Sequence, residues 1–221
     1  MTSAPRRFDL IVFDWDGTLF DSTALIARCI QAACADVGTA VPSDRDASYV
    51  IGLGLADALQ YAAPQLPRER HRELAERYRH HYLASHSSVV LFDGTFEMLQ
   101  ALKARNHLLG VATGKTRRGL DDALGTAQMK GLFDATRTAD ETAGKPDPQM
   151  LLELMRELDV APQRTLMIGD TTHDLQMAAN AGAASIGVSY GAHEHEAFGG
   201  FDTCHVAHST ADLRAWLERN A

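Results

Sequence analysis

The sequence predicts an α/β protein, a Rossmann-like parallel sheet core with helices on both faces and an inserted all-helical cap domain. Three observations predict it. Short continuous apolar runs at Leu10–Phe13, Leu108–Ala112 and Leu166–Ile168 have the character of strands buried on both faces, as in a parallel sheet. After Asp93-Gly94 such runs alternate with helical periodicity, the pattern of strand–helix units. Between about residues 38 and 88 no comparable run appears, and 221 residues is more than one average domain and less than two comfortable ones. One domain interrupted by a helical insertion fits both facts.

Taken in order, Leu10-Ile11-Val12-Phe13 is a strand that stops abruptly at Asp14-Trp15-Asp16-Gly17. Leu25, Ile26, Cys29, Ile30, Ala33 and Val37 form a helical stripe that Asp21 or Ser22 would cap and that ends near Gly38. Pro64 and Pro67 separate two further helical patterns. The second, Arg68 to His86, sets Leu74, Tyr78 and Tyr82 on one face, with Glu73 four residues before Arg77 on the exposed side. Its arginines interleave with Glu69, Glu73 and Glu76, which reads as a solvated face rather than an anion patch. Phe96, Leu99 and Leu102 mark a helix, and the strand from Leu108 ends at Thr113. Leu120 and Leu124 belong to a helix stopping at Gly125, and Phe133–Thr138 reads as a short strand. Met150, Leu151, Leu154, Met155 and Leu158 make a helix after Pro148, and Leu166-Met167-Ile168 a strand ending at Gly169-Asp170. A helix to Gly182, a strand over Ala184–Val188 and a final helix with Leu213, Trp216 and Leu217 complete the chain. The expected division is a discontinuous core, 1–20 and 88–221, and a helical cap, 21–87, with hinges near Asp21 and Ser88.

Composition narrows the function classes. With 45% hydrophobic and 23% charged residues the chain can bury a sizeable core, which excludes wholesale disorder. A net charge of −8 speaks against a sequence-independent nucleic-acid binder. Cys29, Cys34 and Cys204 form neither a CxxC pair nor an even framework, so no disulfide scaffold is expected and a reducing cytoplasm is the default. The apolar run that follows Arg6 and Arg7 is too short for a signal-peptide core or a membrane span, so no membrane partner is expected.

Ligands of open parallel sheets collect beyond the carboxyl ends of the strands, where this sequence places Asp14, Thr113 and Asp170. Residues two apart in an extended segment project to one side, so Asp14 and Asp16 can share a site while Trp15 points away. Gly17 permits a sharp turn with exposed amides. Any single Asp here could be a turn or helix cap. Gathered carboxylates repel one another, however, and Asp14, Asp16, Asp170 and Asp174 suit a hard, oxygen-seeking cation such as Mg2+. The absence of His and Cys from these positions disfavours zinc. Lys145, in Gly144-Lys145-Pro146-Asp147-Pro148, adds a cation in a loop stiffened by proline on both sides of Asp147.

These residues resemble the four motifs of the haloacid dehalogenase-like superfamily of aspartate-nucleophile phosphatases: Asp14-Trp15-Asp16-Gly17-Thr18, then Thr113, then Lys145, then Gly169-Asp170-Thr171-Thr172-His173-Asp174. The resemblance runs from about Phe8 to Gly191, and the helical insertion is similar to the cap of its phosphoglycolate phosphatase-like branch. The resemblance implies a phosphatase for a small-molecule phosphate ester, with Asp14 as nucleophile and Asp16 as general acid and base. It implies that Thr113, Gly114 and Lys145 hold the phosphoryl oxygens with Asp14, and that Lys145 also restrains the nucleophile. Mg2+ would be bound by Asp14, the backbone carbonyl of Asp16 and Asp170, while Asp174 acts from outside that ligand set or on Lys145. Many relatives follow the second-motif Ser or Thr with Asn, whereas Gly114-Lys115 stands here.

Rival readings were available in the same residues. Gly114-Lys115-Thr116 lies between a strand and a helix, as in a nucleotide-binding loop, but that motif needs a glycine where Leu109 stands, and Gly110 is one place out of register. A non-enzymatic phospho-receiver module also gathers Asp, Thr and Lys around Mg2+, yet has no use for Asp16 or a cap of this size. A dehalogenase needs neither Asp16 nor a magnesium set. A sugar-phosphate mutase shares nucleophile, acid and metal and stays open, as does the choice between monomer and dimer. Lys115 is open between a phosphate or substrate contact and a solvent-exposed side chain. Gly52-Leu53-Gly54 is a candidate substrate-facing loop, and Tyr190-Gly191 is either a site border or an ordinary turn. The pairs His80/His81, His193/His195 and His205/His208 are expected as surface or partly buried histidines rather than a second metal site. Met150, Met155, Met167 and Met177 fit core positions.

Overall fold

Residues that alternate between two apolar layers need a sheet covered on both sides, and the chain builds one. The structure, a computed structural model, describes residues 7–85, 89–125, 129 and 131–221; the expected helix end at His86, the expected hinge at Ser88 and residues 1–6 of the expected core lie outside these. The strands are β1 (Leu10–Phe13), β2 (Leu108–Thr113), β3 (Ala135–Thr138), β4 (Thr165–Gly169), β5 (Ala184–Val188) and β6 (His205–Ala207), joined in one parallel sheet ordered β3-β2-β1-β4-β5-β6. β1 sits in the middle, with Leu10 in register with Leu108 on one side and Thr165 on the other.

The central position accounts for the uninterrupted apolar run of β1. Ile11 and Phe13 pack into a layer with Leu99, Leu109 and Val111, while Leu10 and Val12 pack into the opposite layer with Met150, Leu154 and Met177. Between β1 and β2 the chain makes α1 (Thr23–Asp36), α2 (Asp44–Tyr49), α3 (Leu55–Ala62) and α4 (His71–Ser85), then α5 (Thr95–Ala104). After β2 come α6 (Arg117–Leu124), α7 (Gln149–Glu157), α8 (Thr172–Ala181) and α9 (Thr210–Asn220). Helices α5, α6 and α9 cover the first face of the sheet, and α7 and α8 the second.

Helices α1 to α4 bury an apolar cluster of their own, built from Ile26, Ile30, Ala33, Val50, Leu59 and Leu74, with Tyr78 and Tyr82 packed against it. The stripe seen in the sequence is therefore the inward face of α4. Asp21, an expected hinge, donates its backbone N–H to the Val90 carbonyl at 2.9 Å, so the two connections to the inserted helices run side by side.

Four details depart from the sequence reading. Ser22 occupies the N-cap position of α1 but makes no capping bond, because its hydroxyl is turned to Asp16. Glu73 pairs with Arg70 rather than Arg77. The strand anticipated from Phe133 begins at Ala135, and β6 is three residues long, too short to show any periodicity. All three cysteines are free thiols, and Met150, Met155, Met167 and Met177 are core residues. Among the described residues no helix is long and apolar enough to cross a membrane.

Candidate active site

The strand order reverses direction of growth at β1 and β4, which opens a crevice beyond their carboxyl ends. Asp14 extends the ladder there, its N–H bonded to the Ile168 carbonyl at 2.9 Å. Trp15 turns back into the core, stacked on Phe20 at 4.9 Å between centroids, and so leaves Asp14 and Asp16 on the opposite, open side. The turn needs Gly17: its φ is +82°, and a Cβ there would collide with the Asp170 carboxylate.

Two clusters, each centred on a lysine, follow from this layout. In the first, Lys145 Nζ lies 2.6 Å from Asp14 Oδ1 and 2.7 Å from Asp174 Oδ1, all three side chains sealed from solvent. Asp174 is fixed from its other oxygen, which accepts from the Thr171 N–H at 3.1 Å and the Thr171 hydroxyl at 2.7 Å in a capping box opening α8. Asp170 accepts from the Thr18 hydroxyl at 3.0 Å and the Ala192 N–H at 2.7 Å. Gly191 packs so tightly on Asp170 that a Cβ would overlap it, so Tyr190-Gly191 borders the site rather than forming an incidental turn.

Carboxylate oxygens of Asp14, Asp170 and Asp174 all lie within 4.8 Å of one another. Two like charges at ~4 Å repel by about 4 kcal/mol even at an effective dielectric of about 20. Burial pushes Asp14 up to about 7, with Lys145 pulling the other way and Asp174 reinforcing the rise. Burial, then the charges of Asp14 and Asp174, raises Asp170 well above the carboxylate range. Against burial, Asp14 and Asp174 hold the Lys145 ammonium above the usual lysine range. One ammonium is thus set among three buried carboxylates, and Asp14 Oδ2 is buried with no hydrogen-bond partner. An all-oxygen set with a negative excess and a spare carboxylate oxygen fits a hard divalent cation.

In the second cluster, Asp16 accepts from the Ser22 hydroxyl at 2.7 Å through Oδ1 and pairs with Lys115 Nζ at 2.9 Å through Oδ2. Lys115 also donates to the Tyr82 hydroxyl of α4 at 3.1 Å. Burial opposes its charge, but Asp16 and Tyr82 outweigh that and hold it above the usual range. The reading of Lys115 as a solvent-exposed side chain is therefore corrected: only 13% of it is exposed. Gly114 is explained as well, since a Cβ there would strike the Leu53 and Gly52 carbonyls of the inserted segment. Any side chain at this position has no room beneath that loop. Thr113, buried at the end of β2, accepts from the Lys115 N–H at 3.2 Å.

A cavity of about 670 Å³ lies between the inserted helices and the sheet, lined by Asp14, Asp16, Thr113, Gly114 and Lys115 on one side and by Gly52, Leu53 and the α1, α3 and α4 side chains on the other. A separate contact joins the two layers: His173 Nε2 and His193 Nε2 lie 2.9 and 3.0 Å from the Tyr49 carbonyl that closes α2. His193 is buried but belongs to this contact, not to a metal site.

Residues 11–188 match the haloacid dehalogenase-like hydrolase family. The chain belongs to this family. Among its relatives, a Dickeya dadantii protein named "Probable phosphatase IndB" is 35% identical over 189 residues, which cover 83% of this chain and 82% of that one. The Halalkalibacterium halodurans protein "Pyrophosphatase PpaX" is 28% identical over 209 residues, 94% of this chain and 95% of its own. Among solved structures, a hydrolase from Pseudomonas syringae superposes with a TM-score of 0.87 at 21% identity, covering 96% of this chain and 99% of its own. A "predicted phosphoglycolate phosphatase" from Haemophilus somnus gives 0.81 at 24%, with coverage of 95% and 98%. These structures share the fold. The fold class and the expectation of a phosphoric monoester hydrolase both stand.

For a haloacid dehalogenase-like hydrolase, the structure brings Asp14, Lys145, Asp170 and Asp174 into one group and sets Asp16 and Thr113 on the same cavity. Sequence reasoning did not find Ser22, Tyr82 or the Ala192 amide. Ser22 carried the ordinary signal of a helix cap, and Tyr82 that of a helix face. Nothing in sequence marks a backbone amide as a carboxylate's partner.

Proposed function

We propose that this hydrolase is a Mg2+-dependent phosphatase that cleaves a small organic phosphomonoester through an aspartyl-phosphate on Asp14, phosphoglycolate phosphatase-like in its core, with residues 21–87 acting as a cap over the cavity. The observation that carries the reading is the state of Asp14: one oxygen is held by Lys145 at 2.6 Å, while the other is buried and unbonded beside Asp170.

Asp14 attacks phosphorus through a carboxylate oxygen, and the bond to the ester oxygen breaks. Asp16 gives that oxygen a proton, releasing the alcohol. Asp16 then takes a proton from the water that attacks the phosphorus of the aspartyl-phosphate, so that inorganic phosphate leaves and Asp14 is regenerated. Thr113, the Gly114 amide and Lys145 hold the phosphoryl oxygens, and Asp174 keeps Lys145 aimed at Asp14. Mg2+, held by Asp14, the Asp16 backbone carbonyl and Asp170, supplies charge stabilisation for the phosphoryl group when bound. The three free thiols support a cytoplasmic setting.

The test is release of inorganic phosphate from a panel of phosphomonoesters. Turnover is expected with Mg2+, to vanish with EDTA, and to return when Mg2+ is restored. Asp14→Asn is expected to lose about 10^3-fold or more in kcat. Full activity in that variant overturns the mechanism, and phosphoryl transfer to a second sugar position without free phosphate would indicate a mutase.

A further inference from the structure

We infer that the organic part of the substrate is an uncharged, ring-bearing and largely apolar group rather than a second anionic one. The inference rests on the phosphatase reading above and refines it. The cavity of about 670 Å³ opens directly onto Asp14 and Asp16, and that volume is typical of a site for a whole small molecule rather than for a bare phosphate. Its far walls are Ile26, Ile30, Ile51, Leu53, Tyr78 and Tyr82. Tyr78 and Tyr82 lie stacked on one another, with centroids 6.0 Å apart, Lys115 Nζ lies over the Tyr82 ring at 5.1 Å, and both rings line the cavity with aromatic surface against which another ring can pack.

The cations tell against a second anion. A buried phosphate or carboxylate needs a charged or multiply hydrogen-bonded partner. Among the described residues lining the cavity, Lys115 is the one largely buried cation beyond the phosphoryl end, and its ammonium is already held by Asp16 at 2.9 Å and by the Tyr82 hydroxyl at 3.1 Å. Arg79, Arg118 and Asp122 also line the cavity but are exposed, where water and salt screen them, so the two arginines favour entry of an anion more than its retention. Pyrophosphate and phosphoglycolate would each leave most of the apolar wall uncovered. Each methylene buried there is worth about fourfold in affinity, so a ring is worth far more than tenfold at the limit of full burial.

The experiment compares kcat/KM of the full chain, with Mg2+, on 2-phenylethyl phosphate, ethyl phosphate, phosphoglycolate and pyrophosphate. The first two have similar alkyl leaving groups, so their ratio reads the ring. A preference of at least tenfold for 2-phenylethyl phosphate over each of the others, carried by KM, is expected. Ala58→Phe, which fills the cavity from α3, is expected to lower the phenylethyl-to-ethyl ratio at least tenfold; should that variant fail to fold, the wild-type ranking decides alone. Equal or better turnover of ethyl phosphate, phosphoglycolate or pyrophosphate overturns the inference and leaves the phosphatase reading intact. No phosphate release from any ester overturns the phosphatase reading, and this inference with it.

Discussion

Lys145 and Lys115 each hold one acid of the Asp14-Trp15-Asp16 segment, yet they do so in different surroundings. The side chains of Lys145, Asp14 and Asp174 are at most 1% exposed, and they come from the loop before α7, the end of β1 and the first turn of α8. Lys115 and Asp16 keep 13% and 12% exposure, and the third member of their group, Tyr82, comes from α4 among the inserted helices. In the proposed mechanism the first group, a dry and fixed arrangement, serves the phosphoryl end whatever the alcohol. The second spans two layers and touches the cavity where the alcohol would sit. On that reading the sheet fixes the chemistry, while Asp16 is tied through Lys115 to Tyr82 of the inserted helices.

The largest effect that bears on this contrast belongs to Lys145→Met. Removing the ammonium leaves Asp14 and Asp174 buried without it, and breaking such a pair costs about 3–5 kcal/mol. Activity is expected to fall by ~100-fold or more. Thermal melting is expected to show the loss of stability, and Mg2+ to recover part of it by replacing the missing charge. A variant as stable and active as the parent would remove the distinction between the dry group and the wet one.

Lys115→Met is expected to do less. Its partners reach water, so the stability loss should be about 1–2 kcal/mol, and the catalytic loss about tenfold, falling mainly on kcat for esters with poor leaving groups. Tyr82→Phe removes the hydroxyl that accepts from Lys115 and should cost about 1 kcal/mol. If Tyr82 acts through Lys115, the double variant is no worse than Lys115→Met alone, and the coupling is read from the double-mutant cycle. Strict additivity of the two losses would detach α4 from Asp16.

The contrast also marks where sequence reasoning stops. The sheet was legible because a strand covered on both faces must be apolar throughout, as Leu10–Phe13 and Leu166–Ile168 are, and because an acid at the end of such a run has few reasons to be there. Lys145 was legible from its prolines. Lys115 was not, since its burial depends on α4, which lies 33 residues earlier in the chain at Tyr82 and is placed by packing rather than by local pattern. Ser22 shows the same limit. A Ser before a helix reads as a cap until the fold brings a carboxylate within 2.7 Å of it. Gly114 could be noticed as unusual, but only the nearness of the Gly52 and Leu53 carbonyls gives the reason.

The smallest effect concerns the other contact between the layers, at Tyr49. The Thr172 N–H donates to His193 Nδ1 at 3.1 Å, so that nitrogen is the acceptor and Nε2 carries the proton shared with the Tyr49 carbonyl. Protonating Nδ1 would break the first bond. Burial lowers both His193 and His173 below the ordinary histidine range. The folded state therefore binds fewer protons than the unfolded chain, and the stability from this contact is complete above about pH 6.5 and lost as pH falls towards the depressed folded values. Melting temperature is expected to drop by about 2–4 °C between pH 7.5 and 5.5 from this source, the size of a change of about 1 kcal/mol in a chain of this length. Carboxylates contribute to any acid slope, so the comparison is with His193→Gln, which keeps a donor for the Tyr49 carbonyl but does not titrate. The variant should show a shallower fall, accompanied by slower amide exchange in α2 at pH 5.5 than the parent shows. Identical slopes and exchange rates would mean that the histidines do not hold the inserted helices on the sheet, and would leave that role to contacts such as Lys115 with Tyr82 and Ser22 with Asp16.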